Sequence, residues 1–503
     1  MKKLSFKQLL SKLFVPCVAV VYIGMLAFFI RYEMNPYLWF DEAGQFWIAK
    51  GLNHDSDPMS ATGGILEVIK NNQNYNLDPG GFSLLLHFWS FAGNGYLWLR
   101  LLPFLFFVLT IIGFIYLAYR WTGNKYTAVL MGFIPIIIPM VYREAFELRA
   151  YSMEVLGVVA GAIAMDSLQR KTNCKRLITW SLVICIFLTS RYSFIVVAFV
   201  ISTYVLYLIY KSEENTKRKI GMALVYAIPL FLTLAFDYLC AMRYQNPEVR
   251  ALSYLPYINN HPKLLIHTSS LRHWFYLGII GWLAYILRGT DRIQKYKGLI
   301  YTTLVVNALF VLLSCLGMHP WSADSTRCIS MITLTVLSIT ALWSELATLL
   351  FKYTDARYVI LAFICLRLIS LYKPDYKASK NRQNAPTEWQ AVGYKGGKVY
   401  IDRWESPCMR YQFEYGALQG EPNYPSQFTC IKMGKHCVRR KNSEKKPSLD
   451  EWYTTTQPDL NDLTDYTILI APELYQYRPN NSDQWQSIND RGCVWIQKSS
   501  AVR

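Results

Sequence analysis

Apolar residues gather along this chain in blocks of roughly 15 to 23, the length an α-helix needs to cross the hydrocarbon core of a bilayer. The blocks run near residues 13–30, 97–119, 126–141, 150–167, 177–190, 193–210, 220–240, 273–287, 298–317, 328–350 and 358–372. The pattern predicts a polytopic α-helical membrane protein with about eleven transmembrane helices over residues 1–372. A shorter apolar stretch, Phe82 to Phe91, is bracketed by Gly80, Gly81 and Gly93 and reads as an interfacial helix in a first outer loop, residues 31–96. After about Lys373 no apolar block follows. There, Val399 to Asp402, Thr467 to Ala471 and Cys493 to Gln497 read as short buried strands and Pro407 to Tyr415 as a helix, which predicts a small C-terminal α/β domain over residues 373–503.

Composition agrees with membrane burial: 53% of the residues are hydrophobic and 17% charged, too few charges for an ordinary soluble enzyme. The formal charge of +18 fixes a direction, because short cytoplasmic loops concentrate Lys and Arg. Lys2, Lys3, Lys7 and Lys12 precede the first block. Arg120 and Lys125, Arg170 to Arg176, Lys211 to Lys219, Arg288 to Lys297, and Lys352 with Arg357 fall on the same side when the spans are counted through. The first block is long and ends without a small-x-small cleavage site, so it reads as a retained helix. An odd number of spans then places the N-terminus in the cytoplasm and the C-terminal domain outside, with the plasma (bacterial inner) membrane as the expected location. Membrane lipids account for the basic excess better than nucleic acid does. Of the 11 cysteines, four, Cys408, Cys430, Cys437 and Cys493, lie in the outer domain and allow three disulfide pairings.

Three clusters of polar residues fall at the predicted outer ends of spans. The first is Trp39-Phe40-Asp41-Glu42-Ala43, where two carboxylates sit among aromatics at the membrane surface. Desolvation there would make a carboxylate a stronger base, and the same pair would also suit the N-terminus of a helix running to Lys50. The second is Tyr142-Arg143-Glu144-Ala145-Phe146-Glu147-Leu148-Arg149-Ala150-Tyr151. On a regular helix Glu147 and Tyr151 share a face and Arg149 turns away, unless the start is irregular. The third comprises Arg191, beside Tyr192, and Arg327, which follows His319 in an outer loop; each reads as a snorkelling anchor or as a grip on phosphate. Outward carboxylates with outward arginines suit transfer from a lipid-linked phosphosugar, in which a base activates a hydroxyl and cations receive the leaving phosphate.

In order and pattern, residues 13 to about 350 resemble the GT-C class of polyprenyl-phosphate-sugar glycosyltransferases, within it the protein O-mannosyltransferases and the lipid A aminoarabinose transferase. The motifs that carry the resemblance are Asp41-Glu42-Ala43 after the first span, Leu77-Asp78-Pro79-Gly80-Gly81 with Asp78 in place of the family's histidine, Arg100-Leu101, Glu147-Leu148-Arg149-Ala150-Tyr151, Ser190-Arg191-Tyr192, and Arg327-Cys328 without the family's tyrosine. The resemblance implies a transferase acting at the outer membrane face on an undecaprenyl-phosphate or similar sugar donor, with a protein, lipid or glycan acceptor. It implies Asp41 as the base, with Glu42 its neighbour and Glu147 a second catalytic acid. Asp78, Arg149, Tyr151, Arg191, Tyr192 and Arg327 become substrate-binding, with Arg191 and Arg327 on the carrier phosphate. Some members use a divalent cation and others do not; Asp41, Glu42 and Glu147 would supply its oxygens. A multispan transporter or flippase of a lipid-linked glycan is the alternative, although the charges cluster in loops rather than within spans.

Overall fold

The computed structural model describes residues 6–34, 36–51, 63–76, 78–244, 269–316, 318–319, 326–371, 399–401, 406–419, 468–470, 485–487 and 494–497. In chain order its helices are α1 (Phe6–Tyr32), α2 (Phe40–Ala49), α3 (Ile65–Tyr75), α4 (Gly81–Trp89), α5 (Tyr96–Thr122), α6 (Lys125–Met131), α7 (Ile134–Ile137), α8 (Pro139–Arg143), α9 (Tyr151–Arg170), α10 (Cys174–Leu188), α11 (Tyr192–Lys211), α12 (Thr216–Cys240), α13 (Ser269–Arg288), α14 (Thr290–Gln294), α15 (Lys297–Cys315), α16 (Ile329–Leu350), α17 (Thr354–Leu371) and α18 (Ser406–Tyr415). The chain divides into two compact units. One contains Met1–Glu33, Asn72–Phe82 and Arg100–Lys373; the other contains Met34–Asn71, Ser83–Leu99 and Pro374–Arg503.

Among the described residues, seven helices are long and apolar enough to cross a membrane: Gln8–Tyr32, Tyr96–Thr122, Tyr151–Arg170, Tyr192–Lys211, Thr216–Tyr244, Lys297–Cys315 and Thr326–Leu350. The chain is therefore a helical membrane protein. The other four expected spans are helical but shorter or more polar. Residues 126–141 break into α6, α7 and α8, because Pro135 and Pro139 have no N–H to continue the ladder. Helix α10 has 15 residues, α17 has 18, and the apolar part of α13 is Phe275–Arg288.

In the first unit, the spans Tyr151–Arg170 and Thr326–Leu350 are 78% and 89% buried, so α9 and α16 form its interior. Small residues let neighbours reach α9: a Cβ added to Gly157 would stand 2.7 Å from Cβ of Phe187, and one on Gly161 2.4 Å from Cδ1 of Ile201. The ends carrying the basic loops are tied by ion pairs and caps. Asp166 meets Arg120 at 3.5 Å and Arg170 at 3.1 Å, while buried Glu345 meets Arg288 at 3.1 Å, accepts the Tyr296 hydroxyl at 2.6 Å and pairs with Lys295. The side chains of Asn124, Asn173 and Asn215 cap α6, α10 and α12.

In the second unit, α2 packs on α18: Phe46 meets Tyr411 edge-on at 5.1 Å and the Trp47 indole N–H donates to the Pro407 carbonyl at 3.0 Å. Trp89 and Trp98 stack at 4.5 Å, each donating its indole N–H to the other's carbonyl. Four short strands, β1 (Val399–Ile401), β2 (Ile468–Ile470), β3 (Trp485–Ser487) and β4 (Val494–Gln497), form a sheet in the order β1-β2-β4-β3. The β1–β2 pair is parallel and the other two pairs are antiparallel. Strand β3 was not expected from the sequence. Cys430, Cys437 and Cys493, and the disulfide pairings that involve them, lie outside the described residues.

Candidate functional site

A buried polar cluster of the first unit surrounds Arg191. Helix α10 ends at Leu188 and α11 begins at Tyr192, leaving a three-residue turn in which Arg191 is the extended N-cap of α11, φ −149° and ψ 149°. The Asp78-Pro79-Gly80-Gly81 segment lies on that turn. The Gly81 N–H donates to the Thr189 carbonyl at 2.9 Å, and a Cβ on Gly81 would sit 2.0 Å from the Thr189 hydroxyl oxygen, so only glycine allows the approach. Gly80 adopts φ +105°, and Asn72 Nδ2 donates to the Asp78 carbonyl at 2.9 Å. Held this way, the Asp78 carboxylate accepts from Arg191 Nε at 3.1 Å.

Glu154 approaches from α9. It lies three residues after Tyr151, on the same helical face, and its fully buried side chain faces Arg191 Nη1 at 3.8 Å while accepting the Ser193 hydroxyl at 2.6 Å. The Arg191 guanidinium lies 4.0 Å from the Tyr151 ring centroid, a cation–π contact. Burial opposes the charge on Arg191, but Tyr151, Asp78 and Glu154 together hold it more firmly protonated than an ordinary arginine. The half-buried His319 ring is hydrogen-bonded to the Arg327 main chain and packs edge-on against Phe310 at 4.9 Å. Burial, and then the neighbouring positive charge of Arg191, bring its pKa down to about 4.

Ahead of α9 the chain is irregular, which corrects the expectation that Glu147 and Tyr151 share a helical face. Helix α9 begins only at Tyr151, the Arg149 N–H bonds to the Glu147 carbonyl at 2.7 Å, and the turn brings the Arg149 guanidinium to 5.3 Å from the Tyr151 ring. Glu147 is half-buried and hydrogen-bonded through its carboxyl to Glu144, which is 4% exposed. Burial, followed by the adjacent Glu147, raises the Glu144 pKa well above the usual carboxylate range. Arg149 opposes that shift.

The first unit therefore brings Asp78, Tyr151 and Arg191 into contact, sets Arg149 against Tyr151, and places Glu147 on Glu144. Tyr192 is the half-buried first residue of α11, and Arg327 sits half-buried in the turn Thr326–Cys328 before α16. Asp41 and Glu42 belong to the second unit. There they occupy the first turn of α2, where Glu42 is buried and accepts the Trp39 N–H at 3.2 Å, and Asp41 is half-buried. Glu42 thus fills the helix-start role that the sequence also allowed.

Glu144, Glu154, Ser193 and His319 were not singled out from the sequence. The signal for Glu154 was present as an acid one turn inside an apolar span, and that for Glu144 as an acid three residues before Glu147. Among the described residues, no three His, Cys, Asp or Glu side chains converge as a metal would require, and the Glu144 and Glu147 carboxyls bond to each other. A scan of the chain against protein-family models and a search of curated proteins both found no match.

Proposed function

We propose that the protein is a GT-C-type membrane glycosyltransferase that moves a sugar from a polyprenyl-phosphate carrier to an acceptor hydroxyl at the outer membrane face. In this reading all eleven apolar segments span the plasma membrane, the N-terminus is cytoplasmic, and residues 373–503 form an outer α/β domain. The observation that carries the reading is buried Glu144 hydrogen-bonded to Glu147, with Arg149 two residues beyond, just ahead of a buried span. A carboxylate of this kind accepts the proton of a hydroxyl as its oxygen bonds to the anomeric carbon, while the bond from that carbon to the phosphate oxygen breaks. The phosphate leaves with the electron pair, and a nearby guanidinium neutralises it.

Asp41, assigned as base by resemblance, and Glu147 are the two candidate acids. Arg191 is paired with Asp78 and Glu154, so in this reading it is a positioning residue, and Arg327 is kept as the candidate for the carrier phosphate. The transporter reading gains from Glu154 and Asp237, both buried within apolar helices, where translocation pathways place carboxyls. Mass spectrometry of surface lipids, glycans and glycoproteins separates the two. Cells carrying a deletion and cells carrying Asp41→Asn at equal abundance should lose the same sugar. Full restoration of that sugar by Asp41→Asn removes Asp41 as base and moves the transporter reading ahead.

A further inference from the structure

We infer that Glu154, Arg191 and Ser330 form a binding site for a neutral sugar hydroxyl, an inference that deepens the transferase reading and rests on it. Three side chains from three elements leave buried polar atoms unsatisfied at this spot. Glu154, the fourth residue of α9, accepts the Ser193 hydroxyl at 2.6 Å through Oε1, while its Oε2 completes no hydrogen bond among the described residues. Arg191, the N-cap of α11, donates to Asp78 at 3.1 Å through Nε. Its Nη1 stands 3.8 Å from Glu154 Oε2, beyond hydrogen-bond reach, and has no other partner. Ser330, the second residue of α16, lies beside the same carboxyl, and its Oγ is a third buried atom without a hydrogen bond.

Glu154 and Ser330 are fully buried, and folded proteins leave few such atoms unpaired, because each has given up its hydration. A donor, an acceptor and a hydroxyl that serves as either, all in one place, call for a group among them. Charge narrows what that group is. An anion would meet two carboxylates, Asp78 and Glu154, against one guanidinium, and a cation would face the Arg191 N–H. A neutral hydroxyl satisfies both sides, donating to Glu154 Oε2 and accepting from Arg191 Nη1. One oxygen about 2.9 Å from each atom spans the gap, and the Ser330 hydroxyl supplies a further contact.

Arg191 joins this site to the proposed chemistry. Its side chain keeps 11% exposure, so the cluster reaches the surface, and its charge acts on Glu144, the acid bonded to Glu147. The guanidinium thus positions Asp78 and Glu154 and lends one N–H to the hydroxyl without taking the carrier phosphate. Water and a sugar both carry hydroxyl groups, and the test separates them.

The test is saturation-transfer-difference NMR of the full-length protein in a detergent without a sugar headgroup, titrated with methyl glycosides of glucose, mannose, galactose, xylose and arabinose and with the methyl glycoside of glucuronate. At least one neutral glycoside should bind at millimolar concentration, and the glucuronate should not. Glu154→Gln should weaken that glycoside about thirtyfold and Ser330→Ala about fivefold, the ranges for a charged and a neutral hydrogen bond. Ser330→Ala removes an unpaired hydroxyl and should melt no lower than wild type, so weaker binding there reports a lost contact and not a lost fold. A wild type that binds none of the neutral glycosides holds only water at the site, which overturns the inference; equal binding of the glucuronate, or unchanged affinity in both variants, does the same. Transfer is read separately, because Asp41→Asn should lose it while keeping glycoside binding. Glycoside binding that needs Glu154 and Ser330, in a wild type that transfers no sugar, would defeat the transferase reading alone. Sugar transfer by a wild type whose glycoside affinity is indifferent to both variants would defeat this inference alone.

Discussion

Replacing Arg191 with methionine preserves most of the side chain's bulk and removes its charge. Two carboxylates would then remain where one guanidinium had served both, Asp78 at 3.1 Å with an 8% exposed side chain and Glu154 at 3.8 Å with none exposed. Glu154 would keep the Ser193 hydroxyl, but a hydroxyl supplies a dipole where a full charge was lost. Removing one partner of a buried ion pair destabilises by about 3–5 kcal/mol, because the remaining charge stays desolvated. For a protein of 503 residues that is about 3–5 °C in melting temperature. Neutralising the whole cluster behaves differently: Arg191→Met combined with Asp78→Asn and Glu154→Gln leaves no buried charge and should recover most of the loss. The assay is intrinsic tryptophan fluorescence during heating of detergent-purified protein at neutral pH. A single variant melting within about 1 °C of wild type, or a triple variant no more stable than the single one, would refute the claim that Arg191 is held by two buried carboxylates.

Further outcomes follow from the same geometry. If the protein is the proposed transferase, Glu147→Gln should lower sugar transfer by about two to four orders of magnitude with abundance unchanged, and wild-type turnover in the purified variant would remove it as the acid–base group. Gly81→Ala drives a methyl group into Thr189 and should destabilise by about 1–3 kcal/mol, read as a lower melting temperature; an unaltered melt would mean that the loop does not rest on that turn. His319 is neutral in the folded protein down to about 4 but ordinarily titrates near 6.5, so between these values the unfolded chain binds more protons and stability falls as pH falls. His319→Asn should flatten that slope in melts taken across the window, and an unchanged slope would show that another group governs it.

The helical architecture was legible because apolar blocks carry their own length and the loops their own charge. The breaks were legible in part: Pro135 and Pro139 stood inside the expected 126–141 span, yet block hydropathy averages over them while the backbone cannot. What no local pattern gave was partnership. Arg191 in Ser190-Arg191-Tyr192 looks from its neighbours like an anchor or a phosphate grip. Its pairing with Asp78, 113 residues away, depends on Gly80 and Gly81 letting one loop rest on another turn. Glu154 was visible as an acid one turn inside an apolar span, which a membrane tolerates only with a partner. Following that rule would have pointed to a cation near the start of a neighbouring span, and Arg191 is such a residue. Within the proposed transferase reading, the same reasoning moves the phosphate away from Arg191, because a guanidinium already neutralised by two carboxylates has little charge to offer an incoming dianion. Donor affinity should therefore respond to Arg327→Ala in a variant whose melting temperature is unchanged, whereas Arg191→Met should alter stability first.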